Sequence, residues 1–464
     1  MNNRQSVGIL LSIFSVAAFS AVGAVSASSP GEIAVEEAHT KGISVIPGKG
    51  NVDISLDRPD ALYKCGEEAV FTITVMDTNG VKATSGKVLC RIDNYGAHVF
   101  SERKVDLASE NPFVVKGTLP YPGFLRATVL GERGRQLRQY SAAYEPEKIR
   151  TAVPRPDDFD AFWDAAVARL EKEVPLDPRV ERLPSLSHDG LEISSVSFAT
   201  FGGRVYGALV APSDPSGGPY PVVVHCPGAG TGFMLKRCRG EKGKICLYMS
   251  VHGFPLQDTD AKTEELYRRQ EEKYRAIHGP ARARAYPVGG LTVSREAAHY
   301  FPVVLGINRA VDWLARRPDV DRKRFVYRGA SQGGGFGLYL CGLNKNFTRG
   351  FIGVPALTDL LGHRADGRQS GWPRIFEYET QKDAGRLARI EDNARYFDAA
   401  YFAARISIPV RVSVGYADES CAPHAVFAAY NAIRSRDKRI YRGIGGVHSS
   451  QNAPRGEIEK FLSE

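Results

Sequence analysis

A chain of 464 residues is long enough for two or three domains, and a hydrophobic content of 43% supports packed cores and excludes wholesale disorder. The 61 Lys and Arg against 52 Asp and Glu leave a formal charge of +9 and a pI near 9.1. The basic residues are scattered among acids without a long Lys/Arg run, so the charge reads as a solvated basic surface rather than a nucleic-acid face.

At the N-terminus Arg4 precedes an apolar stretch over residues 7–25, followed by the small-residue exit Val25-Ser26-Ala27. A charged start, an apolar middle and a small-residue exit predict a secretory signal peptide over residues 1–27. An uncleaved anchor is the competing reading, and the small-residue exit favours cleavage. The mature chain is then exported to the periplasm, the cell surface or the medium. No later run is long and apolar enough to span a bilayer, so no membrane contact is expected after cleavage.

Residues 42–147 read as an all-β domain. Segments 51–56, 69–76, 86–93, 112–119 and 124–130 carry Val, Ile, Thr or Phe at many alternate positions, and turn formers separate them. Asp77-Thr78-Asn79-Gly80 is the clearest turn, because Asn-Gly favours positive φ. Short strands at close spacing suggest an immunoglobulin-like sandwich. It holds no catalytic cluster and reads as a spacer or packing partner.

Pro154 and Pro156 mark a boundary, and the second domain is expected over 151–464. Asp157 or Asp158 can cap a helix in which Phe159, Phe162, Trp163, Ala166, Val167 and Leu170 form one apolar stripe. Strands follow at 205–210 and 221–225, a charged helix at 258–277, a helix at 304–314 and a strand at 324–327. A helix follows Gly333, and further strands lie at 410–414 and 438–441. Strand–helix alternation predicts an α/β class with a mostly parallel sheet covered on both faces. Seven cysteines match neither a zinc motif nor a dense disulfide scaffold. Cys65–Cys90 and Cys238–Cys246 are candidate pairs, with buried free thiols the equal alternative.

The strongest local signal is Gly329-Ala330-Ser331-Gln332-Gly333, after the apolar Phe325-Val326-Tyr327 and before a helix. A strained strand-to-helix turn needs small residues on both sides of its serine, because strand and helix backbones meet there. A serine hydroxyl needs a base, and the base an orienting acid. In such a fold acid and then histidine follow the serine, each on a loop after a strand. Asp418 follows 410–414, and His448 follows 438–441 through Gly445-Gly446. Glu419 is the alternative acid. His424 lies too close after Asp418, and no strand clearly leads into His363. The oxyanion hole needs two backbone N–H groups: Gln332 supplies one, and Ala229 in Cys226-Pro227-Gly228-Ala229-Gly230 is expected to supply the other.

These residues, with Pro156-Asp157-Asp158-Phe159, Asn308-Arg309-Ala310-Val311-Asp312-Trp313, Gly415-Tyr416-Ala417-Asp418 and Cys421-Ala422-Pro423, resemble the acetylxylan esterase and cephalosporin-C deacetylase family, carbohydrate esterase family seven. The resemblance covers roughly residues 154–464. It implies an α/β-hydrolase fold that removes acetyl groups from sugars through Ser331, Asp418 and His448, with no metal or organic cofactor, and it leaves an oligomer open. Three stretches depart from the family pattern: His252-Gly253-Phe254 stands for Arg-Gly-Gln, His448-Ser449 for His-Glu, and Pro227-Gly228-Ala229 for His-Gly-Tyr. The leading expectation is a serine esterase on an acetylated carbohydrate. The alternatives are a general carboxylesterase, a prolyl-oligopeptidase-type peptidase (whose propeller the sandwich is too short to form), and a carbohydrate-binding surface protein with a decayed hydrolase domain.

Overall fold

The computed structural model describes residues 52–464 apart from 97, 279–285, 366, 379–382 and 450–451, so the expected signal segment lies outside the described residues. Among the described residues no helix is long and apolar enough to cross a membrane.

The first part is built of eight strands: β1 (Val52–Leu56), β2 (Leu62–Tyr63), β3 (Glu68–Val75), β4 (Lys87–Asp93), β5 (Val99–Asp106), β6 (Phe113–Thr118), β7 (Gly123–Leu130) and β8 (Gln136–Tyr144). They form a three-stranded sheet, β1-β3-β6, and a five-stranded sheet, β2-β8-β7-β4-β5. The period-2 pattern of β3 turns Ala69, Phe71, Ile73 and Val75 inward, where they join Val88, Cys90 and Ile92 of β4 and Leu125, Ala127 and Val129 of β7 in one core. The expected turn forms as drawn: Asp77 Oδ1 accepts from Asn79 N at 2.8 Å and Val81 N at 3.0 Å, and Gly80 takes φ +77°. Strand β5 escaped the sequence pattern because it is an edge strand, paired only with β4 and exposed along nearly all its length, so nothing selects alternation there.

Helix α1 (Phe159–Glu173) opens the second part and buries Phe159, Trp163, Ala166 and Leu170 of the expected stripe, while Phe162 and Val167 are partly buried against the same core. Asp158 precedes it without a side-chain cap; its carboxylate instead accepts from the Tyr396 hydroxyl. Trp163 is fully buried and donates Nε1–H to Tyr396 O at 3.0 Å; truncation to alanine at such a site typically costs about 3–5 kcal/mol. Nine strands follow: β9 (Arg179–Arg182), β10 (Leu191–Thr200), β11 (Gly203–Pro212), β12 (Tyr220–His225), β13 (Ile245–Met249), β14 (Val320–Ala330), β15 (Arg349–Gly353), β16 (Val410–Gly415) and β17 (Lys438–Gly443). The helices between and after them are α2 (Asp260–His278), α3 (Tyr300–Ala315), α4 (Gln332–Leu343), α5 (Ala384–Ala394), α6 (Ala399–Ala403), α7 (Pro423–Ala432) and α8 (Arg455–Ser463).

The nine strands make one sheet in the order β17-β16-β15-β14-β12-β13-β11-β10-β9. It is parallel from β17 to β13 and antiparallel from β13 to β9. The largest core, with α1, α3, α4 and α6, covers one face; a smaller one, with Ile458, Phe461 and Leu462 of α8, covers the other. The expected α/β class is therefore present. Strands β13 and β15 are short apolar runs, flanked by charge or glycine, that periodicity does not separate from a helix segment. All seven cysteines are free thiols and six are buried. Tyr95, Phe124 and Ala143 from the eight-stranded part belong to the same core as the helices of the nine-stranded part, so an apolar seam joins the two.

Candidate active site

Ser331 stands between the last residue of β14 and the first of α4, with φ 59° and ψ −127°. This is a strained conformation for a residue with a Cβ, and its neighbours hold it there. Its N–H donates to Gly353 O at 2.9 Å, and its carbonyl accepts from Gly335 N and Ala356 N at 3.0 Å each. The flanking glycines are sterically required. A Cβ on Gly329 would lie 2.5 Å from Gly333 O, and one on Gly333 would collide with Cys226 O.

The three expected triad residues come together. Ser331 Oγ lies 3.0 Å from His448 Nε2, and His448 Nδ1 lies 2.8 Å from Asp418 Oδ2. Asp418 is completely buried, and its Oδ1 accepts from Ser420 N and Cys421 N at 2.8 Å each. A carboxylate so held takes the Nδ1–H of His448 and leaves Nε2 free to accept the serine proton. Burial works against the imidazolium, while the sulfur of Cys421 and the carboxylate of Asp418 favour it; the balance raises the proton affinity of His448 above that of free histidine. Burial also pushes the Cys421 thiol up.

The alternatives fall elsewhere. Glu419 is exposed, and its carboxylate accepts from the Gln136 amide. His363 Nδ1 meets Ser370 Oγ at 2.8 Å, and His424 Nε2–H donates to Gln369 O at 2.7 Å.

The backbone N–H groups of Gln332 and Ala229 have no hydrogen-bond partner among the described residues. A network that the sequence did not reveal fixes the loop carrying Ala229. Gln332 Nε2 donates to Gly228 O at 3.2 Å and Pro227 O at 3.4 Å. Its Oε1 accepts from Tyr286 at 2.7 Å and Tyr300 at 2.9 Å. His252 Nε2–H donates to Gly230 O at 2.6 Å, and Gln270 donates to its Nδ1. His252 thus appears in the sequence only as a departure from a pattern, yet it straps down the loop that carries Ala229. The available signal was Gln332 itself, a fully buried amide heading an otherwise apolar helix, which has to find partners.

Three buried histidines stay neutral. Burial lowers His252 to about 4, His299 to about 3 (aided by His252) and His424 to about 3 (aided by Arg368). The unfolded chain takes up these protons as pH falls below about 6.5, and the native chain does not until about 3 to 4. Stability is therefore expected to fall as pH drops from 6.5 towards 4, by at most about 1.4 kcal/mol per pH unit per histidine. His448 has the opposite sign, and its contribution is already fully present below 6.5. Urea unfolding at pH 6.5, 5.5 and 4.5 measures this. Asp398, which burial raises to about 7, contributes with the opposite sign over this range, so a flat or rising profile would show that the histidines do not outweigh it.

Among the described residues, two groups of side chains bring metal-ligating atoms within 4.8 Å of one another: His225, Glu241 and Cys246, and Asp418, Cys421 and His448. In the first, Lys244 Nζ already sits 2.6 Å from Glu241 Oε2 and supplies the local positive charge. The second uses the same atoms as the serine–histidine–aspartate chain.

Residues 144–463 match the family described as acetyl xylan esterase (AXE1). The acetyl esterase Axe7A of Xylanibacter ruminicola is 29% identical over 397 residues, covering 83% of this chain and 84% of that protein. That span is too long to fit within the family match, so it extends into the eight-stranded part. Acetyl xylan esterase 1 of Thermoanaerobacterium sp. JW/SL YS485 superposes with a TM-score of 0.55 at 21% identity, covering 69% of this chain and 96% of that one. The acetyl xylan esterase of Paenibacillus sp. R4 gives a TM-score of 0.53 at 23% identity, with 69% and 98% covered. At these identities the solved structures speak for a shared fold.

Proposed function

The chain belongs to the acetyl xylan esterase family, and from that membership we propose that Ser331, His448 and Asp418 are the residues that carry its reaction. The protein is a carboxylic-ester hydrolase that removes O-acetyl groups from carbohydrate. The observation that carries the assignment is the unbroken chain from Ser331 Oγ to His448 at 3.0 Å and on to Asp418 at 2.8 Å. Ser331 attacks the acetyl carbonyl while His448 Nε2 takes its proton. The oxyanion forms against the unpartnered N–H groups of Gln332 and Ala229, at the start of α4, where the helix dipole adds to the stabilisation. His448 then protonates the departing sugar oxygen. Water, activated by the same imidazole, releases acetate from Ser331, and Asp418 stabilises the imidazolium throughout.

We read the fold as an α/β-hydrolase over residues 151–464 behind an immunoglobulin-like sandwich over 42–147. The strand order and the two facing sheets support both parts of this reading. Residues 1–27 are proposed to be removed on export. N-terminal sequencing of protein from the native host is expected to find a start near Ser28; an intact Met1 in a soluble cytoplasmic fraction would overturn export.

The acyl pocket is expected to be tight, because Gln332, His252 and Tyr286 tie the Gly228–Gly230 backbone against the elbow. A longer acyl chain must strain these walls, at about 1–3 kcal/mol for overpacking, so acetyl esters should exceed butyryl esters by roughly tenfold or more in kcat/KM. Ala229 favours the competing reading of a general carboxylesterase, since its small side chain leaves room. Acetate release from acetylated xylo-oligosaccharides, with kcat/KM on matched acetyl to octanoyl esters, separates the two. A flat profile or a preference for long chains would sink the tight pocket.

A further inference from the structure

Every polar backbone group of the acid loop Tyr416-Ala417 is used, and the donors and acceptors come from two different places. The N–H groups of Tyr416 and Ala417 donate to Gly443 O at 2.9 Å and Gly446 O at 2.8 Å, on the approach to His448. The two carbonyls point the other way, into the eight-stranded sandwich. Gln139 Nε2 of β8 donates to Ala417 O at 2.7 Å, and the Tyr95 hydroxyl donates to Tyr416 O.

Both donors are themselves oriented. Arg126 donates to Gln139 Oε1 at 3.2 Å, which fixes the amide so that its NH2 faces the loop. The Arg126 guanidinium forks onto Asp93, at 2.8 and 3.0 Å, and lies 4.5 Å from the Tyr95 ring centroid. Asp93 also accepts from Tyr95 N at 2.8 Å, and Tyr95 sits at φ +73°, a strained backbone that this bond holds. Asp93, Tyr95 and Gln139 are all buried. The packing around the loop agrees: the Phe124 ring stands edge-on to Tyr416 at 5.0 Å, and a Cβ on Gly445 would lie 2.5 Å from the Tyr140 ring.

We propose that the sandwich is part of the catalytic apparatus: Gln139 and Tyr95, oriented by Arg126 and Asp93, are positioning residues that hold the Asp418 loop against His448. The proposal rests on the reading of Asp418 as the acid. A buried carbonyl that loses its donor moves to find another. Here the carbonyl belongs to the residue next to Asp418, so any shift is passed to the Asp418–His448 bond. Substrate binding is untouched, because neither residue lies on the elbow or the oxyanion loop.

The test compares Gln139→Leu, Tyr95→Phe and their combination with Tyr144→Phe in the full chain. Tyr144 is an equally buried sandwich tyrosine, and its hydroxyl donates only within the sandwich, to Glu67 O at 3.0 Å and Gly117 O at 3.2 Å. Gln139→Leu and the double variant are expected to lower kcat by roughly tenfold to a hundredfold with KM nearly unchanged, the effect of a sub-ångström misplacement in a catalytic group. Tyr144→Phe should lower the Tm comparably and leave kcat at the wild-type value. Two results would overturn the proposal: unchanged kcat in folded Gln139→Leu and Tyr95→Phe, or an equal loss in Tyr144→Phe. Asp418→Asn assayed alongside separates the two readings, since an active Asp418→Asn enzyme would refute the acid assignment itself.

Discussion

Ser331→Ala is expected to lower kcat by about four to six orders of magnitude, the usual consequence of removing a triad nucleophile. The fold should survive the change. Ser331 already occupies φ 59°, and alanine keeps the same Cβ while losing only Oγ. The bonds that hold the turn are made by its backbone, to Gly353, Gly335 and Ala356, and alanine makes them equally well. A small change in Tm is therefore expected, and the activity loss can be read as chemistry. Residual turnover would come from the unpartnered N–H groups of Gln332 and Ala229 acting on water attack. A variant retaining more than about a tenth of wild-type kcat loses less than about 1.4 kcal/mol of transition-state stabilisation, and Ser331 would then not be the nucleophile.

The elbow was legible in the sequence because its chemistry and its sterics both leave marks. Only small residues fit where a Cβ on Gly333 would meet Cys226 O, and the serine proposed as nucleophile stands between them. Asp418 and His448 were legible through order along the chain, since each lies on a loop after a parallel strand. The α1 stripe was legible because 3.6-residue periodicity records which face is buried.

What the sequence withheld are contacts that cross the fold. Gln332 reaches Pro227 across 105 positions, and Gln139 reaches Ala417 across 278. A lone Gln, Tyr or His carries no periodicity, so nothing local separates Gln139 of β8 from the exposed polar residues beside it. For the same reason the sandwich reads from sequence as a spacer. The positioning role proposed for it rests on Tyr95, Arg126 and Gln139, three residues on three segments that only the folded sheet gathers.

Asp418→Asn should lower kcat by roughly 10⁴-fold, comparable to the typical loss when an amide replaces the orienting carboxylate of a triad. The geometry gives the reason. Oδ1 accepts from both Ser420 N and Cys421 N at 2.8 Å, so in the variant the amide oxygen has to stay there. The NH2 group then occupies the Oδ2 position, 2.8 Å from His448 Nδ1. Two donors cannot share that bond, so His448 is forced to accept at Nδ1 and carry its proton on Nε2. An Nε2–H cannot take the proton of Ser331, and the imidazolium would lose its counter-charge. Glu419→Gln is expected to change kcat by less than about threefold, because Glu419 is exposed and its carboxylate accepts from the Gln136 amide, away from His448. The pair is measured as kcat on an acetyl ester under saturating conditions. A large loss in Glu419→Gln with a small one in Asp418→Asn would transfer the acid to Glu419, and with it the bond that the sandwich is proposed to hold in place.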